Sequence, residues 1–159
     1  MRTEPKNRIS GRALTVWRIT AIIISAFGWI IVIGLFILHS ILDWSYWIVG
    51  IVLLVSIIET IVTVFIFPTL RWKRWRYEVH EHEIDIQHGV FIVKRTLIPM
   101  VRVQHVDTKQ GPILRRYNLS SVTISTAATT HEIPALDVSE ADHLRDRISS
   151  LARVDDEDV

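Results

Sequence analysis

The chain has 159 residues, a net charge of +1, 49% hydrophobic residues and no Cys. The missing Cys excludes disulfides, a thiolate nucleophile and cysteine metal sites. Residues 71–152 carry twelve Lys and Arg against ten Asp and Glu, so no basic stripe for nucleic acid is present.

Residues 1–18 form a basic N-terminus with Arg2, Lys6, Arg8, Arg12 and Arg18. Residues 19–38 are then uncharged and apolar, and residues 44–70 form a second such run whose one charge is Glu59. Each run reaches the ~20 residues that a helix needs to cross a hydrocarbon core. Each Leu, Ile, Phe or Val contributes roughly −0.3 to −0.6 kcal/mol to insertion at a helix centre. The first run has thirteen of these residues and the second sixteen, which outweighs a cost of about 3 kcal/mol for Glu59. Residues 19–70 therefore read as a transmembrane hairpin. A cleaved signal peptide fits poorly, because the first run is too long and a second follows at once.

The flanks orient it. Arg71, Lys73, Arg74 and Arg76 follow the second run, whereas the connecting residues carry no Lys or Arg, only Asp43 and His39. Basic flanks stay inside, so both termini are expected in the cytoplasm. Trp17, Trp44, Tyr46, Trp47, Trp72 and Trp75 lie near the run ends, where aromatic rings settle at headgroup level; Trp29 falls mid-span.

Glu59 is expected near mid-membrane, at the depth of Ser25 on the antiparallel helix, with Ser56, Thr60 and Thr63 within a turn. Two readings compete. A carboxyl in a membrane can respond to protons or ions, or it can hold helices together through a hydrogen bond to Ser25 or to a neighbouring subunit. A single acid without a basic partner cannot form a transport path alone, which favours the second reading. Gly28 and Gly34 are six apart, so no GxxxG motif is present.

After residue 70 the pattern shortens to alternating strands, expected over 75–80, 83–88, 90–98, 101–109, 119–126 and 131–135, with a short segment at 113–117. In 83–88, Ile84 and Ile86 take one face and Glu83, Asp85 and Gln87 the other. Ser120, Ser121, Ser125 and Thr126 read as exposed sheet positions. Ser139 is a candidate N-cap, and Ala141, Leu144, Ile148 and Leu151 then recur at helical spacing. Residues 71–152 thus form one small β domain closed by a helix, and 153–159 an acidic tail, expected to be disordered.

These features, in this order, resemble the bacterial pleckstrin-homology-like (PH-like) domains, specifically the small two-span membrane proteins called YdbS-like. The marks are Arg76-Tyr77, Gly89, Ile98-Pro99, Arg102-Val103-Gln104-His105-Val106 and Gln110-Gly111-Pro112-Ile113-Leu114-Arg115-Arg116. The family usually has Gly where Asn118 stands and often near Ala128. Asn tolerates positive φ, so Asn118 can keep that turn. The resemblance implies an α+β membrane protein: a transmembrane hairpin followed by a PH-like barrel or sandwich with a C-terminal capping helix. It also implies a non-enzymatic role at the cytoplasmic face, often beside a larger relative carrying several such domains.

The chemistry in the sequence is sparse. PH domains that bind phosphoinositides hold phosphates with Lys and Arg at the first hairpin. Here that turn is His80-Glu81-His82-Glu83, and its carboxylates repel an inositol phosphate. The same histidines lack the converging ligands a metal needs, and no cofactor motif, GxSxG or phosphate loop is present. Arg71, Lys73, Arg74 and Arg76 form a candidate membrane-surface site, since each basic residue beside an anionic leaflet gains about 1 kcal/mol. Lys94-Arg95 and Arg115-Arg116 extend the basic surface.

The expected function is a membrane-anchored interaction module, not an enzyme, in the bacterial cytoplasmic membrane. Its partners are the lipid bilayer and either a larger PH-like membrane protein or further copies of itself, in an envelope-maintenance or stress-resistance complex. The alternative is a subunit of a transport or channel complex that uses Glu59.

Overall fold

The computed structural model describes residues 4–42 and 45–157, with the side chains of 42 and 155–157 left aside. Asp43 and Trp44 therefore lie outside the described residues. The chain divides into two units: residues 17–70, and a β domain built from residues 4–16 together with 71–157.

The helical unit holds most of α1 (Arg12–Leu42), then α2 (Tyr46–Ile61), a π-helical turn (Val62–Ile66) and the start of α3 (Phe67–Arg74). Helix α1 runs past both expected apolar limits and α3 passes residue 70, and His39 is helical and buried, with Tyr46 edge-on at 4.9 Å. The π turn has a sequence cause. Pro68 lacks an N–H and its ring would strike the carbonyl four residues back, so the preceding turn widens. Large apolar side chains cover the outside, among them Phe27 at 67%, Ile31 at 67% and Ile41 at 70% exposure. Such a surface suits hydrocarbon and not water.

The β domain contains two antiparallel sheets. One has the order β1 (Asn7–Arg8), β2 (Arg76–Val79), β3 (Glu83–His88), β4 (Lys94–Pro99). The other is β5 (Val103–Lys109), β6 (Leu119–Thr126), β7 (Thr130–Asp137). A 3₁₀ turn (Met100–Arg102) links them, α4 (Pro112–Arg116) joins β5 to β6, and α5 (Val138–Glu157) ends the domain. Among the described residues the sheets do not close into a barrel, so the sandwich form of the expectation holds. Ile84, Ile86, Ile98, Met100, Leu119, Val122, Ile124, Ile133 and Leu136 form the core between them. Ala141, Leu144 and Ile148 of α5 are buried, as their spacing required.

Several expectations change. The basic N-terminus is not a separate segment: β1 pairs with β2, and Ile9, Ala13 and Val16 are buried. Ser10 N donates to the Ala135 carbonyl at 3.2 Å, and Arg12 bonds the Asp137 carboxylate at 2.7 Å. The short segment expected at 113–117 is a helical turn, which Gly111 caps and Pro112 opens. Asp85 and Gln87 are buried, so β3 is covered on both faces; Arg95 Nε donates to both Asp85 oxygens at 3.0 Å. Ser120 and Ser121 are buried as well. A bulge between Ser120 and Val122 breaks the alternation, and their hydroxyls bond the Lys109 carbonyl and the Ala135 N–H. Asn118 has φ 52°, as its turn demands. Helix α5 continues to Glu157, past Arg153 where the acidic tail was expected to begin.

Candidate membrane-surface site and intramembrane polar seam

Within the helical unit the polar side chains meet along one seam. Trp29 Nε1 donates to Thr60 Oγ1 at 3.0 Å, and the Ser25 and Thr63 hydroxyls lie 3.4 Å apart. Ser56, Thr60 and Thr63 also donate to carbonyls one turn back, at 2.8 Å each. Positions 56, 60 and 63 follow the i, i+4, i+7 row that faces a neighbouring helix. Glu59 lies off this row on an exposed flank, and among the described residues its carboxyl has no hydrogen-bond partner. The expected Glu59–Ser25 bond is therefore absent, since Thr63 takes the Ser25 hydroxyl.

In the β domain the four basic junction residues part company. Arg71, Lys73 and Arg74 are exposed on the last turn of α3. Arg76 sits on β2, only 24% exposed, in an ion pair with Glu4 at 3.3 Å. The aromatic residues here also depart from the headgroup-level expectation. Trp75 is buried in the domain and stacked on His88 at 5.4 Å, and Trp72 Nε1 donates to the Ser10 carbonyl at 3.1 Å. Tyr46 and Trp47 are 83% exposed.

His88 marks where the cations gather. Burial lowers its pKa from the usual histidine value, and Lys94, Arg71 and His131 lower it further. The α3 terminus, the start of β4 and the start of β7 thus converge electrostatically on the end of β3. At the other end of that strand the β2–β3 turn is acidic: His80 N donates to the Glu83 carbonyl, and Glu78 lies 4.0 Å from the His80 ring. Among the described residues no group of three or more His, Asp or Glu side chains could hold a metal.

A third feature escaped the sequence reading. A groove of about 460 Å³ opens where the sheets fail to close, between β4 and the β6–β7 turn. Leu97, Pro99, Val101, Ala127 and Ala128 form its apolar walls, and Arg102 and His131 its polar rim. The two residues in this groove that could have signalled it, Leu97 and Val101, read in sequence as ordinary alternating strand positions.

A four-stranded and a three-stranded antiparallel sheet, packed face to face and covered by a C-terminal helix, define a PH-like domain, here carried on a chain with two long apolar helices. The sequence matches the family described as Bacterial PH domain over residues 12–152, and the chain belongs to that family. It is 60% identical over 159 residues to the UPF0699 transmembrane protein YdbS of Bacillus subtilis (strain 168), covering 100% of both chains. It is also 26% identical over 83 residues to the UPF0699 transmembrane protein YdbT of the same organism, which is 50% of this chain and 17% of that relative. No solved structure matches it significantly. The resemblance drawn from the motifs and the α+β fold class both hold.

Proposed function

We propose that the chain is a non-enzymatic interaction module anchored at the cytoplasmic face of the bacterial membrane. The hairpin spans twice, both termini stay inside, and the β domain receives an extended segment of a larger membrane protein carrying several PH-like domains. The β4–β7 groove carries this reading. It is open, mostly apolar and bordered by β4, whose outer edge has no strand partner among the described residues. Such an edge beside side-chain pockets suits strand addition. The larger relative that shares half of this chain supplies a partner of suitable kind. Participation in an envelope-maintenance or stress-resistance complex is part of this proposal.

Affinity capture of the full chain from native membranes in mild detergent tests this. A multi-domain PH-like protein should be recovered, and the double substitution Leu97→Glu, Val101→Glu should lose it. Capture of this chain alone, at native expression, overturns the proposal.

One observation favours a second reading, a subunit of a transport or channel complex: Glu59 lies on an exposed helix flank, off the intrachain seam. Glu59→Gln that leaves assembly intact but stops ion flux selects it.

A further inference from the structure

Among the described residues of the β domain, the two most exposed large apolar side chains are neighbours at the β3–β4 turn. Phe91 is 82% exposed and Ile92 84%, and Val93 follows at 42%. Residues 90–93 read as strand in the sequence, but β4 begins only at Lys94. Gly89 is the cause. Its φ is +128°, and a Cβ there would run into the Ile92 carbonyl oxygen, so the chain folds back tightly on itself. The turn leaves its greasiest residues outside.

Register places this turn at a defined end of the sheet. Arg76 pairs with Gln87, and His88 with Lys94. The turn therefore leaves the sheet beside the start of β2, the strand that the chain enters one residue after the helix ending at Arg74. That helix continues from the second apolar run. The acidic β2–β3 turn lies at the other end of the same strands. The tip thus projects from the end of the sheet where the chain enters β2, with Lys94 paired to His88 at its base and the Arg71 charge acting on that histidine.

We infer that residues 89–93 are a membrane wedge. Phe91 and Ile92 enter the headgroup–acyl boundary of the bilayer that the chain itself spans, while Lys94, Arg71, Lys73 and Arg74 meet lipid phosphates. Apolar residues flanked by cations are the composition of interfacial segments. Two exposed side chains are far fewer than the ~20 residues a stable protein interface uses on each side. A lipid surface needs no such area here, because the covalent tether keeps it at high effective concentration. The wedge rests on the hairpin spanning the bilayer and not on the groove or its partner.

The chain has no Cys, so Ile92→Cys and Glu81→Cys each give one labelling site, at the two opposite turns. The full chain is placed in nanodiscs of phosphatidylcholine with phosphatidylglycerol and labelled with nitrobenzoxadiazole. At 92 the emission should shift to the blue, with several-fold stronger quenching by brominated lipid tails and several-fold weaker quenching by aqueous iodide than at 81. Discs of phosphatidylcholine alone should shrink that difference. In an incorporated chain, equal quenching at both positions overturns the wedge and leaves the groove proposal standing. Protection at 92 that arises only on adding a co-purified protein also overturns it, and reassigns the tip to a protein contact. A chain that stays out of the discs removes the spanning hairpin and the wedge together.

Discussion

The helical unit and the β domain solve opposite solvent problems with one rule. In the first, polar side chains turn inward to a seam of Trp29, Thr60, Ser25 and Thr63, and apolar ones face out. In the second, apolar side chains fill the sandwich, and of the buried polar ones Asp85, Ser120 and Ser121 have side-chain hydrogen-bond partners. Each unit also breaks its own pattern once in a conspicuous way. The helices carry a carboxyl on an exposed flank, and the water-facing domain carries Phe91 and Ile92 at a turn. A residue whose exposure opposes its surroundings indicates a surface that something else meets.

The strongest way to break the comparison is at Asp85. Its side chain is 3% exposed, and Arg95 holds it with paired hydrogen bonds across the sheet. Removing one member of such a pair strands the other. Arg95→Ala leaves Asp85 buried without its partner and should destabilise the β domain by about 3 kcal/mol, seen as faster hydrogen exchange in β3 and β4. Protection in the helical unit should not change. Equal loosening of both units would show that the division between them is not energetic.

Tyr77 comes next. Its hydroxyl donates to Glu140 at 2.7 Å, joining β2 to α5. Burial raises its pKa above the usual tyrosine value, and the Glu140 hydrogen bond and charge add to this. A group whose folded pKa is raised contributes stability in full below its unfolded pKa, here about 10, and loses it as pH rises further. Unfolding of the domain should therefore accelerate above about pH 10. Tyr77→Phe should lose about 1–2 kcal/mol at neutral pH and flatten the alkaline slope. An unchanged slope would remove Tyr77 from the account.

Much of this architecture was legible because its signals are local. The apolar runs, the bounds of β3 and β6, positive φ at Asn118 and the buried face of α5 depend on composition and period alone. What escaped depends on partners or on a single backbone angle. Strand β1 is two residues long and exists only because β2 offers it a ladder. Val90 to Val93 have the β-branched and aromatic side chains of a strand, but Gly89 commits them to a turn. Ser120 and Ser121 follow a bulge and not an alternation. Of the candidate site, the basic junction was readable as a charge cluster. That Arg76 leaves it for Glu4, and that Lys94 joins it beside His88, depends on register.

The smallest effects discriminate inside the helical unit. Trp29→Phe removes the bond to Thr60 and should cost about 0.6 kcal/mol, the average for interhelical hydrogen bonds in membranes, and at most about 1.7 kcal/mol. Glu59→Gln removes no hydrogen bond found among the described residues, so hairpin stability should change by no more than about 0.5 kcal/mol. Steric trapping of the reconstituted chain can measure both. The decisive comparison is between folding and assembly. If Glu59 serves a surface outside its own hairpin, the Gln variant should fold normally yet co-purify differently, with its partner or with itself. Trp29→Phe should show the reverse, a weaker hairpin with unchanged company. A Glu59→Gln variant that loses hairpin stability as Trp29→Phe does would place the carboxyl back in the seam, and its exposed flank would need no partner.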